Sequence, residues 1–205
     1  MKNKSLAIGY KLTFALLGFS AVVTEIATLV ERNHFNPFNF FSYFTIQSNI
    51  FAFVMLIVSA LAVASNKRSS KLNLLRGAAT LYMVITGIVF AVLLAGVEGS
   101  ILTAVPWDNL VLHYIMPVVL LIDWLVDKPS KAITFKRSFV WLIYPISYVI
   151  YSLVRGQLVN WYPYPFLNPK TNGFSGVFLT AVGIAGLTIV LMFILVKFTR
   201  NKPAH

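Results

Sequence analysis

The stretch NLVLHYIMPVVLLIDWL, residues 109–125, is apolar enough to lie in a bilayer, yet it carries a histidine one third of the way along. A membrane core of roughly 30 Å is crossed by about 20 helical residues. Apolar runs of similar length lie near residues 9–30, 39–64, 72–95, 107–126, 136–155 and 174–196. The sequence therefore predicts an all-α fold, a polytopic membrane bundle of six transmembrane helices.

Composition supports a membrane protein. The 205 residues are 58% hydrophobic and 11% charged, whereas soluble domains are about 25% charged. The absence of cysteine excludes disulfides, thiol nucleophiles and thiolate metal sites. The loops are too short for a soluble domain and no repeat of fixed period is found, so residues 1–205 are predicted to form a single domain.

The basic residues predict the orientation. In a soluble protein a net charge of +11 would suggest nucleic acid, but here the basic residues lie in short segments beside apolar runs, as membrane anchors do. All except Arg32, Arg155 and Lys170 fall in the two terminal segments and in the second and fourth loops. The positive-inside rule then predicts cytoplasmic N- and C-termini. The expected location is the plasma membrane, of the bacterial inner-membrane type, with multiple passes. Nucleic acid is not expected as a partner.

Four polar residues are predicted to lie at one depth. With a rise of 1.5 Å per residue, His113 and Thr45 each lie about 9 Å below the outer ends of their helices, taken at positions 107 and 39. Glu25 lies about 8 Å below the end of the first helix, and Arg155 ends the fifth helix just above this layer. Ionisable groups inside a membrane usually face a protein interior or a wet cavity, which makes this layer a candidate functional site.

The second helix carries a polar stripe. Ser42, Thr45, Ser48 and Asn49 follow three- and four-residue spacing, which predicts one face turned toward the bundle. Ser48, Asn49 and the adjacent Gln47 are candidate donors to an oxyanion.

A proline interrupts the fourth helix close to its histidine. Pro117 lacks the N–H that the His113 carbonyl would normally receive from four residues on, so a kink is predicted there. Freed carbonyls at membrane depth are tolerated where protein or water satisfies them, as in a polar pocket. Asp123 falls near the opposite end of this helix, too far away to share the site, and is predicted to cap the helix or pair with a base.

A hydroxyl and an imidazole at matching depth fit nucleophilic acyl transfer. His113 would accept the Thr45 proton as attack begins and return it to the leaving group. A position in the outer leaflet suits an ester whose acyl chains remain in lipid. This chemistry requires no metal and no cofactor.

Several roles stay open for the flanking residues. Glu25 fits a proton relay, a partner for Arg155 or a buried structural pair. Arg155 fits an interfacial anchor or a contact with a substrate carboxylate. The loop before the last helix is rich in proline and predicted to be irregular, so it could cover the bundle as a lid. The substrate-binding candidates are Glu25, Ser48, Asn49, Arg155 and, from this loop, Tyr164.

Four ordered motifs carry a family resemblance. They are FSYFTIQSN (41–49), LHYIMP (112–117) followed by DW (123–124), YPISYVIYSLVRG (144–156) and WYPYPF (161–166). On these motifs the chain resembles a bacterial member of the androgen-inducible six-span membrane protein family, whose characterised animal members hydrolyse fatty acid esters of hydroxy fatty acids. The resemblance implies that Thr45, in YFTIQ, is an intramembrane nucleophile and that His113, in LHYIMP, is its base.

The hypothesis favoured by the sequence is an intramembrane hydrolase of lipid esters, a carboxylic ester hydrolase with a threonine nucleophile and a membrane lipid or lipid ester as its partner. The alternative is a transporter or channel for a small or lipid-like anion, with Glu25, His113 and Arg155 along a pathway that reaches both faces. A haem carrier would need paired axial histidines, but His113 is the only intramembrane one. A purely structural or partner-binding protein would need no polar groups at one depth.

Overall fold

The computed structural model describes residues 3–96, 104–129 and 131–200, and within these ranges the chain is helical without a β-strand. Six helices are long and apolar enough to cross a membrane, as the sequence predicts. They are called the first to sixth spans and comprise Lys4–Glu31, Phe44–Ala64, Ser70–Leu94, Pro106–Val126, Phe135–Val159 and Pro169–Thr199.

Asparagine and serine side chains define several helix ends. The Asn3 side chain accepts hydrogen bonds from backbone amides of the first span, and the Ser69 hydroxyl does the same for the third. These bonds satisfy amides that have no partner inside the helix. Asn33, Asn66 and Asn160 follow the first, second and fifth spans with φ values of 55°, 56° and 54°. Asparagine adopts this left-handed conformation more readily than most residues, so it ends a helix at low cost.

The second span begins later than predicted. The prediction placed its start at Asn39, but Pro37–Phe40 is a separate one-turn helix and the span starts at Phe44. Asn36 caps the short helix and Pro37 occupies its first position, which proline favours. Thr45 therefore lies in the first turn of its span, and the continuous helix from Asn39 on which its predicted depth was based is wrong.

The fourth span is irregular at the predicted place. A π turn at Val111–Ile115 comes directly before the α-helical segment Met116–Val126, in which Pro117 occupies the first turn. Single π turns inside α-helices occur frequently at functional sites. The turn contains His113, so the irregularity predicted from Pro117 shapes the backbone that carries the imidazole.

A buried ion-pair cluster holds the first, third and fourth spans together at the end away from His113. Arg76 donates to Asp123 at 2.7 Å, and Lys11, which is fully buried, pairs with both Asp123 and Asp127. Burial alone would raise the pKa of Asp127, but the charges of Arg76 and Lys11 outweigh it and hold that pKa below its usual value. Asp123 thus pairs with bases, as predicted.

The spans differ in their burial. The third span is central: 61% of the residues in an apolar 18-residue stretch of this span are buried, whereas the corresponding fraction is 22% for both the fifth and the sixth spans. The fifth and sixth spans therefore form the periphery of the bundle, and few close backbone contacts join them.

Candidate active site

Thr45 and His113 meet inside the bundle. The distance between Thr45 Oγ1 and His113 Nε2 is 3.3 Å, and both residues are buried, with exposed fractions of 7% and 2%. A base must lie within hydrogen-bond reach of the proton that it removes, and free enzymes often hold this contact slightly long. The geometry therefore permits direct proton transfer from the hydroxyl to the ring.

The backbone selects the tautomer of the histidine. His113 Nδ1 lies 3.2 Å from the carbonyl oxygen of Asn109, which can only accept a hydrogen bond. In the neutral ring Nδ1 therefore carries the proton, and the lone pair of Nε2 faces the Thr45 hydroxyl. Phe90 stacks on the imidazole, with 3.9 Å between ring centroids and 21° between planes, and holds its orientation. The group that orients the base is a main-chain carbonyl one turn earlier, which sequence reasoning missed.

Tyr164 completes a hydrogen-bond chain on the other side of Thr45. Its hydroxyl accepts the Thr45 N–H at 3.1 Å and lies 3.2 Å from Thr45 Oγ1. Because the Thr45 proton is directed to His113, the Tyr164 O–H donates to Thr45 Oγ1. Burial raises the pKa of Tyr164 to about 12, so this hydroxyl keeps its proton at neutral pH.

The N-terminal end of the second span points into the site. Its first amides have no partner within the helix; the Phe44 N–H donates to the Tyr148 hydroxyl at 3.2 Å and the Thr45 N–H donates to Tyr164. The positive end of the helix dipole stabilises negative charge within the first turn. Thr45 therefore lies where an alkoxide or oxyanion is favoured. The predicted helix start at Asn39 would have placed Thr45 beyond the first turn, so the sequence did not indicate this effect.

The predicted polar stripe faces the bundle and supports the backbone. The Ser48 hydroxyl donates to the Thr45 carbonyl at 3.2 Å. The Asn49 amide nitrogen donates to the carbonyls of Thr45 and Leu112 at 2.9 and 3.1 Å. The Gln47 amide bonds to a main-chain carbonyl just before the helix. All three candidate oxyanion donors thus hold carbonyl groups of the fold.

Glu25 and Arg155 do not pair with each other. Glu25 accepts a main-chain N–H of the loop before the fourth span at 2.7 Å. Arg155 donates to Asn39 at 2.7 Å, and its guanidinium lies 4.9 Å from the centre of the Trp161 ring. Of the roles left open for Glu25, a pairing with Arg155 is therefore not what the contacts show.

An apolar cavity of about 390 Å³ extends from Thr45 into the outer part of the bundle. Thr45 and Tyr164 line one part of it, and aliphatic side chains of the third, fifth and sixth spans line most of the remainder. Some lining residues are also exposed on the outer surface of the bundle: Ile146, Ile150, Phe178 and Val182. The cavity therefore reaches the lipid-facing surface between the fifth and sixth spans. Its described lining includes none of Glu25, His113 and Arg155.

These groups provide the elements of acyl transfer. Thr45 offers a hydroxyl whose proton points to a base, Tyr164 offers a protonated donor beside it, and the cavity offers room for an aliphatic chain next to both. In the described part of the chain, no three His, Cys, Asp or Glu side chains gather as a metal site would require.

No family model, curated protein or solved structure matches this chain. The observations that bear on function are therefore the contacts of Thr45, the orientation of His113 and the shape of the cavity beside them.

Proposed function

We propose that the protein is an intramembrane carboxylic ester hydrolase that acts on lipid esters, with Thr45 as nucleophile and His113 as general base. The observation that carries the proposal is the position of Thr45 Oγ1, which bonds to His113 Nε2 while Thr45 lines an apolar cavity open to lipid. The motifs around these residues favour membership of the androgen-inducible six-span family. They also favour fatty acid esters of hydroxy fatty acids, or related acyl esters, as substrates.

The first half-reaction forms an acyl-enzyme. Thr45 Oγ1 attacks the ester carbonyl carbon and passes its proton to His113 Nε2. The resulting tetrahedral intermediate expels the alkoxide, which takes that proton and leaves as the alcohol. In the second half-reaction His113 removes a proton from water, and the hydroxide attacks the acyl carbon. The second tetrahedral intermediate expels Thr45 Oγ1, which takes the proton back from His113 as the carboxylic acid is released. The Asn109 carbonyl stabilises the imidazolium that forms between these steps, because it accepts a hydrogen bond from Nδ1–H throughout.

The negative charge of the intermediate needs a donor on the cavity side of Thr45. The Tyr164 O–H bonds to Thr45 Oγ1 in the resting state and can turn to the carbonyl oxygen as Oγ1 bonds to carbon. The dipole at the start of the second span acts in the same direction. Both groups lie beside Thr45 before substrate binds, so the only rearrangement required of them is the turn of the Tyr164 O–H.

Replacing Tyr164 by phenylalanine is expected to lower kcat by about 100-fold with little change in KM, because loss of one oxyanion donor has an effect of that order on the chemical step. Tyr162→Phe is the matched control, since Tyr162 lies in the same loop and packs its ring near Gly156. Steady-state hydrolysis of a fatty acid ester of a hydroxy fatty acid measures both. A kcat for Tyr164→Phe equal to that of Tyr162→Phe would remove Tyr164 from the mechanism.

We propose that the protein is a multi-pass plasma membrane protein with cytoplasmic termini, which places the Thr45 end of the bundle in the outer leaflet. The support is the distribution of basic residues. Because the chain contains no cysteine, single cysteines can be introduced at Lys4 and Lys170. In intact cells a membrane-impermeant maleimide is expected to label Lys170→Cys and to label Lys4→Cys only after lysis. The reverse pattern would contradict this orientation.

A further inference from the structure

The Asn49 side chain joins the second and fourth spans at the level of the site. Asn49 is fully buried, and its amide nitrogen donates to the carbonyls of Thr45 and Leu112. Both partners are carbonyl oxygens that can only accept, which fixes the orientation of the amide. One bond holds the residue that carries the nucleophile, and the other holds the residue next to His113.

The carbonyl of Leu112 needs a side-chain donor because of the local backbone. In the π turn the Met116 N–H bonds to the Val111 carbonyl. The next residue along the chain, Pro117, has no N–H. The Leu112 carbonyl therefore receives neither the Met116 N–H, its donor in an α pattern, nor an N–H from position 117, its donor in a π pattern. A buried carbonyl without a partner is costly. Asn49 supplies the missing bond from the neighbouring span.

The same segment is held from the other side by the third span. A Cβ atom built on Gly87 would lie 3.0 Å from Pro117 Cβ and 3.2 Å from the His113 carbonyl oxygen. Glycine at this position permits the third span to approach the backbone of the π turn closely. The turn that bears the imidazole is therefore confined between Gly87 and Asn49.

The amide oxygen of Asn49 indicates that this residue is kept for the bonds that its amide nitrogen donates. Asn49 Oδ1 is buried without a hydrogen-bond partner among the described residues. An unsatisfied buried acceptor is unfavourable, and an apolar side chain at this position would avoid it. The two donated bonds thus distinguish asparagine from a residue that only fills space.

We propose that Asn49 is a positioning residue, which replaces the main-chain hydrogen bond lost at Pro117 and thereby fixes His113 against Thr45. This inference rests on the proposed hydrolase function for its kinetic consequence. Its structural consequence, the orientation of the imidazole, is independent of any substrate.

Asn49→Ser tests the bond between the spans. A serine hydroxyl reaches the carbonyl four residues earlier, which is that of Thr45, but it is too short to reach Leu112 in the next span. Since misplacing a reacting group by about 1 Å costs on the order of 10²-fold, kcat should fall about 10- to 100-fold with KM nearly unchanged. Ser59→Ala is the control, because Ser59 is a buried polar residue of the same span whose hydroxyl has no partner among the described residues.

Pro117→Ala provides a rescue. An alanine at 117 restores an N–H, so that the Leu112 carbonyl regains a main-chain donor in either the π or the α pattern. When Asn49→Ser is added to Pro117→Ala, kcat should then fall by less than about threefold. An equal loss in both backgrounds would overturn the link between Asn49 and the freed carbonyl.

Ring-nitrogen NMR provides a readout that does not require hydrolysis. With His34→Asn and His205→Asn, His113 is the only histidine left of the three. In the parent protein its signals should show a protonated Nδ1 and an accepting Nε2, and Asn49→Ser should shift both toward a tautomer average. Signals unchanged by Asn49→Ser, or shifted equally by Ser59→Ala, would overturn the proposal. Should the wild-type protein hydrolyse no ester, the proposed function fails, while these signals still decide the role of Asn49.

Discussion

Thr45→Ala is expected to lower the rate of lipid-ester hydrolysis by more than about 10³-fold, because removal of a nucleophile abolishes the acyl-enzyme route and leaves only the residual effect of binding and donor groups. The alanine keeps the helix and removes only the hydroxyl and methyl groups. The measurement is turnover of a panel of lipid esters by purified protein in lipid nanodiscs. Neutral lipid esters and esters with a free carboxylate in the panel also establish the substrate class.

Two further variants make this test specific. Thr80→Ala removes an equally buried hydroxyl that bonds to the carbonyl of Arg76, away from the site, and should retain wild-type turnover. Thr45→Ser keeps a nucleophilic hydroxyl beside His113 and should retain a substantial part of the activity. Wild-type turnover by Thr45→Ala would remove the proposed mechanism.

His113→Ala is expected to lower kcat by about 10²- to 10⁴-fold, the usual contribution of a general base. A hydroxyl is a poor nucleophile at its own pKa, so without the imidazole the Thr45 proton must be removed by hydroxide. The remaining activity should therefore rise with pH over a range in which the wild-type rate has already reached its plateau. Stopped assays at a series of pH values measure this dependence.

His34→Ala is the matched control for the base, since His34 is an exposed residue of the first loop. It should retain the wild-type rate and pH profile. A His113→Ala variant with a wild-type rate would show that another group removes the proton.

The six spans and the meeting of Thr45 with His113 could be predicted because both follow from simple physics. Hydrocarbon excludes unpaired backbone groups, so long apolar runs must be helices. Polar residues at three- and four-residue spacing must face away from lipid, and Ser42, Thr45, Ser48 and Asn49 are indeed buried. Two buried polar side chains on neighbouring helices then tend to form a hydrogen bond with each other.

The rest of the site depends on features that helical periodicity does not report. Tyr164 reaches Thr45 from an irregular loop, whose path is set by its prolines and by tertiary packing. The start of the second span at Phe44 depends on the preceding one-turn helix, which the sequence marks only by its Asn36 cap and by Pro37. Depth also fixes only one coordinate. Glu25 and Arg155 share a predicted layer, but Glu25 bonds to a main-chain N–H and Arg155 bonds to Asn39.

The most direct test of the central claim is mass spectrometry of the protein after rapid acid quenching during turnover of a lipid ester. The account predicts an acyl group esterified to the peptide that contains Thr45, present in wild-type protein and absent from Thr45→Ala. An acyl group on a different side chain, together with hydrolysis retained by Thr45→Ala, would contradict it.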